Sequence, residues 1–441
     1  MIGVTVAEGL AVPDRLRVTP VKGLRGETSV PGDKSISHRS IIFGSIAEGT
    51  TTVDGFLWSE DNMRTVEAFR SMGVAIADHD GDVIIEGRGM NGLCEPDDVI
   101  DAGNSGTTTR LLTGLLAGQP FFSIITGDNS LRKRPMGRVT KPLSLMGATI
   151  HGRCGGSHAP LAIVGGKLEG IDYSSEVASA QVKSAILLAG LTGSGKTTVT
   201  EPVRSRDHTE RMLRAFGAEV AVDGNRVGVT GGDLLKGCDV SVPGDISSAA
   251  FLMVAALITS DSDLLIRGVG INPTRNGIIN LLRRMGGNIE YLNERESSNE
   301  PIADIRVKSS RLRGIDIGPT DIPGAIDEFP IISVAAAVAE GTTTIRGASE
   351  LRVKESDRIA TMVKGLRAVG VNVKEMTNGM VIEGGRLACA TVESYGDHRI
   401  AMAMLIAGLV AEGAEGVEVV GAACINTSFP GFMELLKGVA L

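Results

Sequence analysis

The sequence predicts an α/β protein of two domains, each built from three copies of one small structural unit. A glycine turn between an amphipathic helix and a strand recurs at a period of roughly 70 residues, which is longer than the repeats of solenoid proteins. Each copy also contains a segment that is apolar almost all round, as is typical of a buried helix. The phrase Val-Pro-Gly-Asp occurs twice, at residues 30–33 and 242–245, and we interpret these sites as crossings between the domains.

The repeated turn shows how each unit is organised. It is found at residues 71–76, 145–150, 215–220, 284–289, 368–373 and, at the end of the chain, 436–441. Residues 46–53 closely match residues 338–345, and in both an apolar helix ends at a glycine before a Thr-rich strand. We therefore predict units of helix, strand, amphipathic helix and strand, with one further strand before the next copy.

The first helix of each unit is expected to be buried and the second to lie outside. The apolar segments are residues 41–47, 111–117, 185–189, 249–257, 331–339 and 400–410. This arrangement is an inside-out α/β barrel, in which sheets enclose parallel buried helices. We predict one domain at residues 32–243 and the other at residues 1–31 plus 244–441, with a strand at 15–21 completing the second.

Composition excludes several classes of protein. With 441 residues, 42% hydrophobic and 22% charged, the chain resembles ordinary soluble proteins, and its net charge of −8 argues against non-specific nucleic-acid binding. Five cysteines without a CxxC pair favour reduced thiols and a cytoplasmic location. Six histidines form no HExxH pattern, so we expect no metal site. Residues 1–20 lack the features of a signal peptide, and the longest apolar runs are too short to cross a membrane.

Polar residues that can cap a helix introduce each buried segment. They occupy residues 33–35, 103–107, 179–183, 245–248, 327–328 and 396–399. A helix N-terminus carries partial positive charge and unpaired N–H groups. If the three helices of each domain run parallel, their starts meet on one surface, and two facing surfaces enclose a cleft that attracts anions.

Charged loops strengthen this expectation. Lys34 and Arg39 lie within the first helix start, where two cations are costly unless an anion binds. Later loops contribute Arg132, Lys133, Arg134, Arg138, Arg204, Arg206, Arg352, Lys354 and Arg358, set among the acids Asp327, Glu355 and Asp397. Arginine suits carboxylate and phosphate recognition, and an acid held among cations can carry a proton. We predict small polyanionic substrates bound between the domains.

One segment matches the phosphate-binding loop of nucleotide hydrolases. Residues 190–197 satisfy GxxxxGK[ST], but that motif binds phosphate only between a preceding strand and a following helix. Here a predicted buried helix precedes the motif and a Thr-rich strand follows it. We therefore interpret the match as a helix-to-strand turn of the repeated unit.

Several histidines, methionines and arginines are expected to have structural roles. We expect His38 and His208 to be hydrogen-bonding residues at helix starts, and His398, between Asp397 and Arg399, is equally a substrate neighbour or a structural residue. The methionines at 402–404 are expected in the core, and the arginines at 283–284 on a solvated helix face.

Nine motifs spread along the chain resemble those of the 5-enolpyruvylshikimate-3-phosphate (EPSP) synthases, the enolpyruvyl transferases of the aromatic pathway. They are PGDKSISHR, GNSGTTTR, KRPMGR, SAQVKSA, SRDHTE, IDEFP, LRVKESDR, GDHRIAM and TSFP, and several follow the pattern of the bacterial class II enzymes. The resemblance covers essentially the whole chain. It implies two domains that close on phosphoenolpyruvate and shikimate 3-phosphate in a monomer, with no metal or other cofactor, no nucleic acid and no membrane.

The resemblance also implies a set of site residues. Those expected at shikimate 3-phosphate are Lys34, Ser35, Arg39, Ser179, Ala180, Gln181, Arg206, Asp327 and Lys354. Those expected at phosphoenolpyruvate are Lys34, Gly106, Arg134, Gln181, Arg358 and Arg399. Asp327 would accept the proton of the 5-hydroxyl, Glu355 would protonate the methylene carbon, and Lys34 would serve both substrates.

Two positions qualify the resemblance. Many class I members carry a lysine just before a Thr-Phe-Pro sequence near the C-terminus, whereas residues 426–430 are Asn-Thr-Ser-Phe-Pro, which favours class II. Position 106 is glycine, where some glyphosate-tolerant members have alanine, so we expect glyphosate to bind.

Two alternatives remain at this stage. The UDP-N-acetylglucosamine enolpyruvyl transferases share the fold but usually carry a reactive cysteine in a loop corresponding to residues 128–137, which here contain none. A nucleotide-binding or purely polyanion-binding protein is the other alternative. Phosphate release in the presence of phosphoenolpyruvate and shikimate 3-phosphate would separate all three.

Overall fold

Short strands and helices follow one another along the chain. The computed structural model describes residues 13–441. The strands are β1 Arg15–Val18, β2 Arg25–Ser29, β3 Glu48–Asp54, β4 Ala75–His79, β5 Asp82–Arg88, β6 Ile100–Asp101, β7 Phe122–Thr126, β8 Thr149–Gly152, β9 His158–Val164, β10 Asp172–Ser174, β11 Lys196–Thr200, β12 Ala221–Asp223, β13 Arg226–Thr230, β14 Asp239–Ser241, β15 Asp263–Gly270, β16 Asn288–Ser297, β17 Glu300–Lys308, β18 Asp316–Ile317, β19 Thr342–Ile345, β20 Asn372–Met376, β21 Gly379–Glu383, β22 Leu387–Glu393 and β23 Ala411–Val420. The helices are α1 Lys34–Ile46, α2 Glu60–Ser71, α3 Gly106–Ala117, α4 Gly137–Leu145, α5 Arg153–Gly156, α6 Ala180–Thr192, α7 His208–Ala215, α8 Ile246–Ile258, α9 Gly277–Arg284, α10 Ile322–Ala325, α11 Phe329–Ala337, α12 Arg358–Ala368, α13 His398–Gly408 and α14 Phe432–Val439.

Within residues 13–441, five four-stranded sheets share one strand order, which confirms the repeat but gives each unit four strands instead of the three predicted. The orders are β14-β3-β5-β4, β6-β7-β9-β8, β10-β11-β13-β12, β2-β15-β17-β16 and β18-β19-β21-β20. In each sheet the first two strands are parallel and the remaining pairs are antiparallel. The outer parallel strands β6, β10 and β18 come shortly before the buried helices α3, α6 and α11 of their units, and the antiparallel hairpin of each unit follows the amphipathic helix.

The sixth unit differs from the prediction. Its sheet has three strands, in the order β1-β23-β22. The final echo at residues 436–441 is not the predicted turn, because Gly438 lies inside α14, which continues to Val439. The N-terminal strand predicted at 15–21 ends at Val18 and pairs with β23, and the separate strand β2 was not predicted.

The buried helices form two separate apolar cores. Helices α1, α3 and α6 lie in a core drawn from residues 36–242, whereas α8, α11 and α13 lie in a core drawn from residues 18–30 and 246–439. We propose on this basis that the domains divide at residues 31–32 and 243–244. Residues 1–12, which were predicted to belong to the second domain and to lack the features of a signal peptide, lie outside the described part of the chain. None of the described helices has the length and apolar character needed to cross a membrane.

The two Val-Pro-Gly-Asp segments lie side by side where the chain passes between the cores. Gly32 and Gly244 form an antiparallel bridge, the Asp33 N–H donates to Pro243 O at 2.7 Å, and the Asp245 N–H donates to Pro31 O at 2.9 Å. A Cβ atom on Gly32 would lie 2.0 Å from the carbonyl oxygen of Gly55, so only glycine fits there. The crossings exchange strands as well, since β14 joins the sheet of unit one and β2 joins that of unit four.

The segment resembling a phosphate-binding loop is a helix-to-strand turn, as predicted. Gly190 lies within α6, Gly195 adopts φ +79°, and Lys196 begins β11. The order of elements is the reverse of that found in nucleotide hydrolases.

An arginine ties the amphipathic helix to the strand after the glycine turn in four units. Arg70, Arg214, Arg283 and Arg367 each donate to the carbonyl oxygen of the residue six positions later. Arg283 also lies 4.5 Å above the ring of Tyr291. Arg283 and Arg284 are both exposed, as predicted for a solvated helix face, and these contacts hold Arg283 in place.

Candidate functional site

One cavity is lined by residues from the starts of all six buried helices. These residues are Lys34 and Ser35 on α1, Gly106 and Thr107 on α3, Ser179, Ala180 and Gln181 at α6, Asp245 at α8, Asp327 before α11, and His398 and Arg399 on α13. Five of these helices are capped by a side chain that accepts a backbone N–H, from Asp33, Ser105, Ser179, Asp245 and Asp397. The predicted convergence of helix starts is therefore present, with the remaining N–H groups directed at one space.

Cationic side chains dominate the lining. Nine are Lys or Arg, namely Lys34, Arg39, Arg110, Arg134, Arg138, Arg206, Arg275, Lys354 and Arg399, against five acids, Asp61, Asp245, Asp327, Glu350 and Glu355. This excess of positive charge stands out in a chain whose net charge is −8. A cavity of this kind attracts multiply charged small anions.

The structure brings together all but one of the residues expected from the sequence. Lys34, Ser35, Arg39, Gly106, Arg134, Ser179, Ala180, Gln181, Arg206, Asp327, Lys354, Glu355 and Arg399 line the cavity. Arg358 lies behind this wall with a relative exposure of 1%. Its guanidinium donates to Asp397 at 2.8 Å and to Glu355 at 2.6 Å, so it orients acids next to the cavity.

Several basic loop residues expected at the cleft lie elsewhere. Arg132 donates to Asn129, Arg204 pairs with Asp207, and Arg352 pairs with Asp357 and Glu375. These contacts turn the side chains away from the cavity, and neither these arginines nor Lys133 is among its lining residues. The expectation that all the basic loop residues add to the cleft is therefore wrong for these four.

Asp327 is surrounded by cations. It contacts Arg206, and its carboxylate oxygens lie 3.4 Å from Arg358, 3.8 Å from Lys354 and 4.0 Å from Arg399. Burial opposes ionisation of this carboxyl, but the four cations outweigh it and hold the pKa of Asp327 well below its usual range. Asp327 is thus an ionised base.

Glu355 is held in the same way and shares the Arg358 guanidinium with Asp327. Its oxygens lie 2.6 Å from Arg358 and 3.5 Å from Arg134. Burial again raises the pKa, but Arg358 and Arg134 outweigh it, so the pKa of Glu355 lies well below its usual range. With these two cations beside it, this carboxyl is ionised.

Three ion pairs cross the cavity between the two cores. Arg206 meets Asp327, Arg134 meets Glu355, and Arg138 donates to both oxygens of Glu350 at 2.6 and 2.9 Å. Each pair joins an arginine of the first core's segment to an acid of the second. Together they hold the two halves of the cavity close.

Comparison with known proteins assigns the site to a family. A sequence model of the family described as EPSP synthase (3-phosphoshikimate 1-carboxyvinyltransferase) matches residues 18–436. The chain belongs to the EPSP synthase family. The 3-phosphoshikimate 1-carboxyvinyltransferases of Geobacter metallireducens and Geobacter sulfurreducens are 63% and 62% identical to it, with 96% of this chain and 98% of each relative covered.

Solved structures agree with this assignment. An EPSP synthase from Acinetobacter baumannii, determined at 2.37 Å, superposes with a TM-score of 0.86 at 50% identity, covering 97% of this chain and 98% of that one. A second structure of an EPSP synthase from the same organism gives a TM-score of 0.85 at 49% identity. The two-domain α/β fold predicted from the sequence is therefore that of the EPSP synthases.

Sequence reasoning missed other members of this EPSP synthase cavity. Arg110 lies one turn after Gly106 on α3, and its Nη1 donates to Gln181 Oε1 at 2.5 Å. Asp61 on α2 pairs with Lys34. The helical spacing between positions 106 and 110 could have pointed to Arg110, because residues four apart share a helix face.

The histidines divide as the sequence suggested. His38 and His208 are buried and make hydrogen bonds of 2.7 Å to Thr65 and Glu300, away from the cavity lining. His398 does line the cavity. Burial, assisted by the charge of Lys34, lowers the pKa of His398 to about 3, so its ring is neutral at physiological pH.

The segment that lacks a lysine near the C-terminus reaches this histidine. The Thr427 hydroxyl lies 3.1 Å from His398 Nδ1, and Phe429 packs into the second core. The five cysteines are free thiols, and none lines the cavity.

Proposed function

We propose that this cavity performs the reaction of the EPSP synthases, the transfer of the enolpyruvyl group of phosphoenolpyruvate to the 5-hydroxyl of shikimate 3-phosphate with release of phosphate. This step of the shikimate pathway leads to chorismate and the aromatic amino acids. The observation that carries the proposal is the convergence of six helix starts and nine cationic side chains around Asp327 and Glu355. The family match over residues 18–436 supports the identity of the substrates.

The acceptor site is assigned to the wall formed by α1, α6 and the segment before α7. Ser179, Ala180, Gln181 and Arg206, with Lys354 from the opposite wall, would hold the phosphate of shikimate 3-phosphate. Ser35 and Arg39 would complete this site, and Arg39 is already fixed by hydrogen bonds to Thr209 and Ser184. Rigid placement of the donors limits the entropy lost on binding.

The donor site is assigned to the wall beside α3 and α13. The N-terminal turn of α3 at Gly106, together with Arg134 and Arg399, would hold the carboxylate and phosphate of phosphoenolpyruvate, and Arg358, behind this wall, would hold Glu355 beside the donor. Lys34 lies between the two sites and would contact both substrates, since α1 starts where the chain crosses between the domains.

The two acids have separate tasks in the proposed chemistry. Glu355 protonates the methylene carbon of phosphoenolpyruvate, which gives C2 oxocarbenium character. Asp327 accepts the proton of the 5-hydroxyl as its oxygen bonds to C2, forming a tetrahedral adduct. As phosphate leaves, the Glu355 carboxylate takes back a methyl proton, which restores the double bond, and the proton on Asp327 passes to the phosphate. The surrounding cations stabilise the departing charge.

Substrate binding would change the charges around these acids. Arg134 pairs with Glu355, and Arg206 pairs with Asp327. The phosphate and carboxylate groups of the substrates would compete for these arginines. Loss of Arg134 as a partner, and the approach of substrate anions, would raise the pKa of Glu355 so that it can carry the proton it must donate.

We further propose that the protein acts as a monomer in the cytoplasm. One chain supplies lining residues from all six helix starts, which supports a monomer. The free state of all five cysteines supports a reducing compartment.

Phosphate release tests the proposed function directly. The protein is incubated with phosphoenolpyruvate and one of three partners, shikimate 3-phosphate, UDP-N-acetylglucosamine or ATP, without added metal ion. We expect release only with shikimate 3-phosphate. Release with UDP-N-acetylglucosamine alone, or with none of the three, would contradict the proposal.

A further inference from the structure

Three buried charged residues form a cluster directly beneath the wall assigned to the acceptor. Lys183 lies on α6, Glu201 follows β11, and Glu210 lies on α7. All three are almost completely buried, with relative exposures of 1%, 3% and 1%. The Lys183 Nζ lies 3.1 Å from Glu201 and 2.7 Å from Glu210, so one ammonium group serves two carboxylates.

Glu201 connects this cluster to two cavity-lining segments. Its Oε1 accepts the backbone N–H of Ser179 at 2.9 Å. Its Oε2 accepts both the backbone N–H and the hydroxyl of Ser205, at 3.2 and 2.8 Å. Ser179 caps α6, Ser205 precedes Arg206, and all three residues line the cavity. One carboxylate therefore fixes the start of α6 relative to the segment that carries Arg206.

Glu210 has the same charge and burial but a different set of contacts. Within residues 13–441, neither of its carboxylate oxygens has a partner in hydrogen-bond geometry. Its close contact is the ion pair with Lys183, on the side of the cluster formed by α7. Glu210 thus balances the charge of the lysine without holding a cavity-lining segment.

We propose that Glu201 is a positioning residue for the phosphate monoester of the acceptor substrate. The inference rests on the proposed function, because it takes the wall of Ser179, Ser205 and Arg206 as the acceptor's phosphate site. Three donors approach Glu201 through both of its oxygens, and a carboxylate accepts all of them. A glutamine offers one acceptor oxygen, so its NH₂ group must face either Ser179 or Ser205 as donor against donor. One of the two segments then shifts, and the phosphate site loses its geometry.

The test compares Glu201→Gln with the matched control Glu210→Gln. Both variants remove one buried carboxylate from the same lysine, so loss of the ion pair alone affects them equally. Each is assayed by phosphate release, with the KM for shikimate 3-phosphate, the KM for phosphoenolpyruvate at saturating acceptor, and kcat measured separately. The melting temperature is recorded for both.

We expect Glu201→Gln to raise the KM for shikimate 3-phosphate about tenfold, the size expected when one charge-assisted hydrogen-bond set is lost. The KM for phosphoenolpyruvate and kcat should stay within about twofold, and Glu210→Gln should leave all three parameters within about twofold. An equal rise in the acceptor KM in both variants, or no rise in Glu201→Gln, overturns the inference.

Two further measurements keep the outcome interpretable. If Glu201→Gln does not fold, Glu201→Asp retains the charge but withdraws the carboxylate by one methylene, and an unchanged acceptor KM in that variant overturns the inference. Wild-type protein is assayed first with shikimate 3-phosphate. Failure of the wild type to turn over contradicts the proposed function, whereas failure of the Glu201 variants alone to shift the acceptor KM contradicts only this inference.

Discussion

Replacement of Glu355 by glutamine is expected to remove most of the turnover while leaving the affinity for shikimate 3-phosphate nearly unchanged. The Glu355 carboxylate contacts Arg358 at 2.6 Å and Arg134 at 3.5 Å, and Arg134 is assigned to phosphoenolpyruvate. Glutamine keeps the shape and one oxygen for Arg358 but cannot donate a carboxyl proton. General acid catalysis contributes about 10²–10⁴-fold in rate, or about 3–5 kcal/mol of transition-state stabilisation, so kcat should fall by that factor.

The assay separates chemistry from binding. Phosphate release at saturating substrates gives kcat, and calorimetric titration with shikimate 3-phosphate gives its dissociation constant. Glu350→Gln is the control, since Glu350 also lines the cavity and also pairs with an arginine across it. Its kcat should stay within about threefold of wild type, because its carboxylate takes no part in proton transfer.

Two results would refute this reasoning. A kcat for Glu355→Gln within about tenfold of wild type would show that Glu355 is not the proton donor. A loss of shikimate 3-phosphate affinity of more than about tenfold would show that Glu355 mainly holds the cavity in shape.

Three further predictions follow from the lining. In Gly106→Ala the new Cβ would lie 2.7 Å from Arg110 Nη1. We therefore expect the KM for phosphoenolpyruvate to rise about tenfold and inhibition by glyphosate to weaken, while the KM for shikimate 3-phosphate stays unchanged. A glyphosate inhibition constant in the millimolar range for the wild type would contradict the expectation that glyphosate fits beside Gly106. Arg138→Gln removes the bidentate ion pair with Glu350, in which both side chains are about one-third exposed and which contributes about 1 kcal/mol. The KM values for both substrates should therefore rise about fivefold at constant kcat. Unchanged KM values would exclude a role for this pair in holding the two halves of the cavity together. The pKa of His398 is lowered to about 3, so as pH falls below about 6.5 the unfolded chain takes up a proton that the folded chain does not. The free energy of unfolding measured in urea should therefore decrease as pH falls over that range, and less steeply in His398→Gln than in the wild type. An equal pH dependence in the two proteins would contradict the argument that burial lowers this pKa.

The repeated unit could be predicted because its signals are local. The turns at Gly73, Gly147, Gly217, Gly286 and Gly370 all adopt φ between +84° and +98°, a conformation that glycine tolerates best, so the sequence records each one. The apolar helices are likewise evident from the absence of a polar face. The strand exchange at the crossings could not be predicted, because β14 has three residues and its pairing with β3 depends on tertiary packing.

The candidate site was predictable where function depends on short motifs and less so where it depends on distant contacts. The capping residues at the helix starts predicted the anion-binding cavity, because capping depends only on residues close together in the chain. Arg138 pairs with Glu350, which lies 212 positions away in the chain, and neither segment contains a pattern that predicts this contact. Arg358 was expected at the substrate, but three acids hold its guanidinium behind the wall, where a single sequence cannot reveal it.

The most direct test is a crystal structure of the protein with shikimate 3-phosphate bound. We expect the phosphate within hydrogen-bond distance of Ser179 and Arg206, the 5-hydroxyl about 3 Å from Asp327, and the contact between Arg206 and Asp327 broken by the ligand. A ligand bound away from the six helix starts, or an Asp327 carboxylate out of reach of the 5-hydroxyl, would contradict the proposed function.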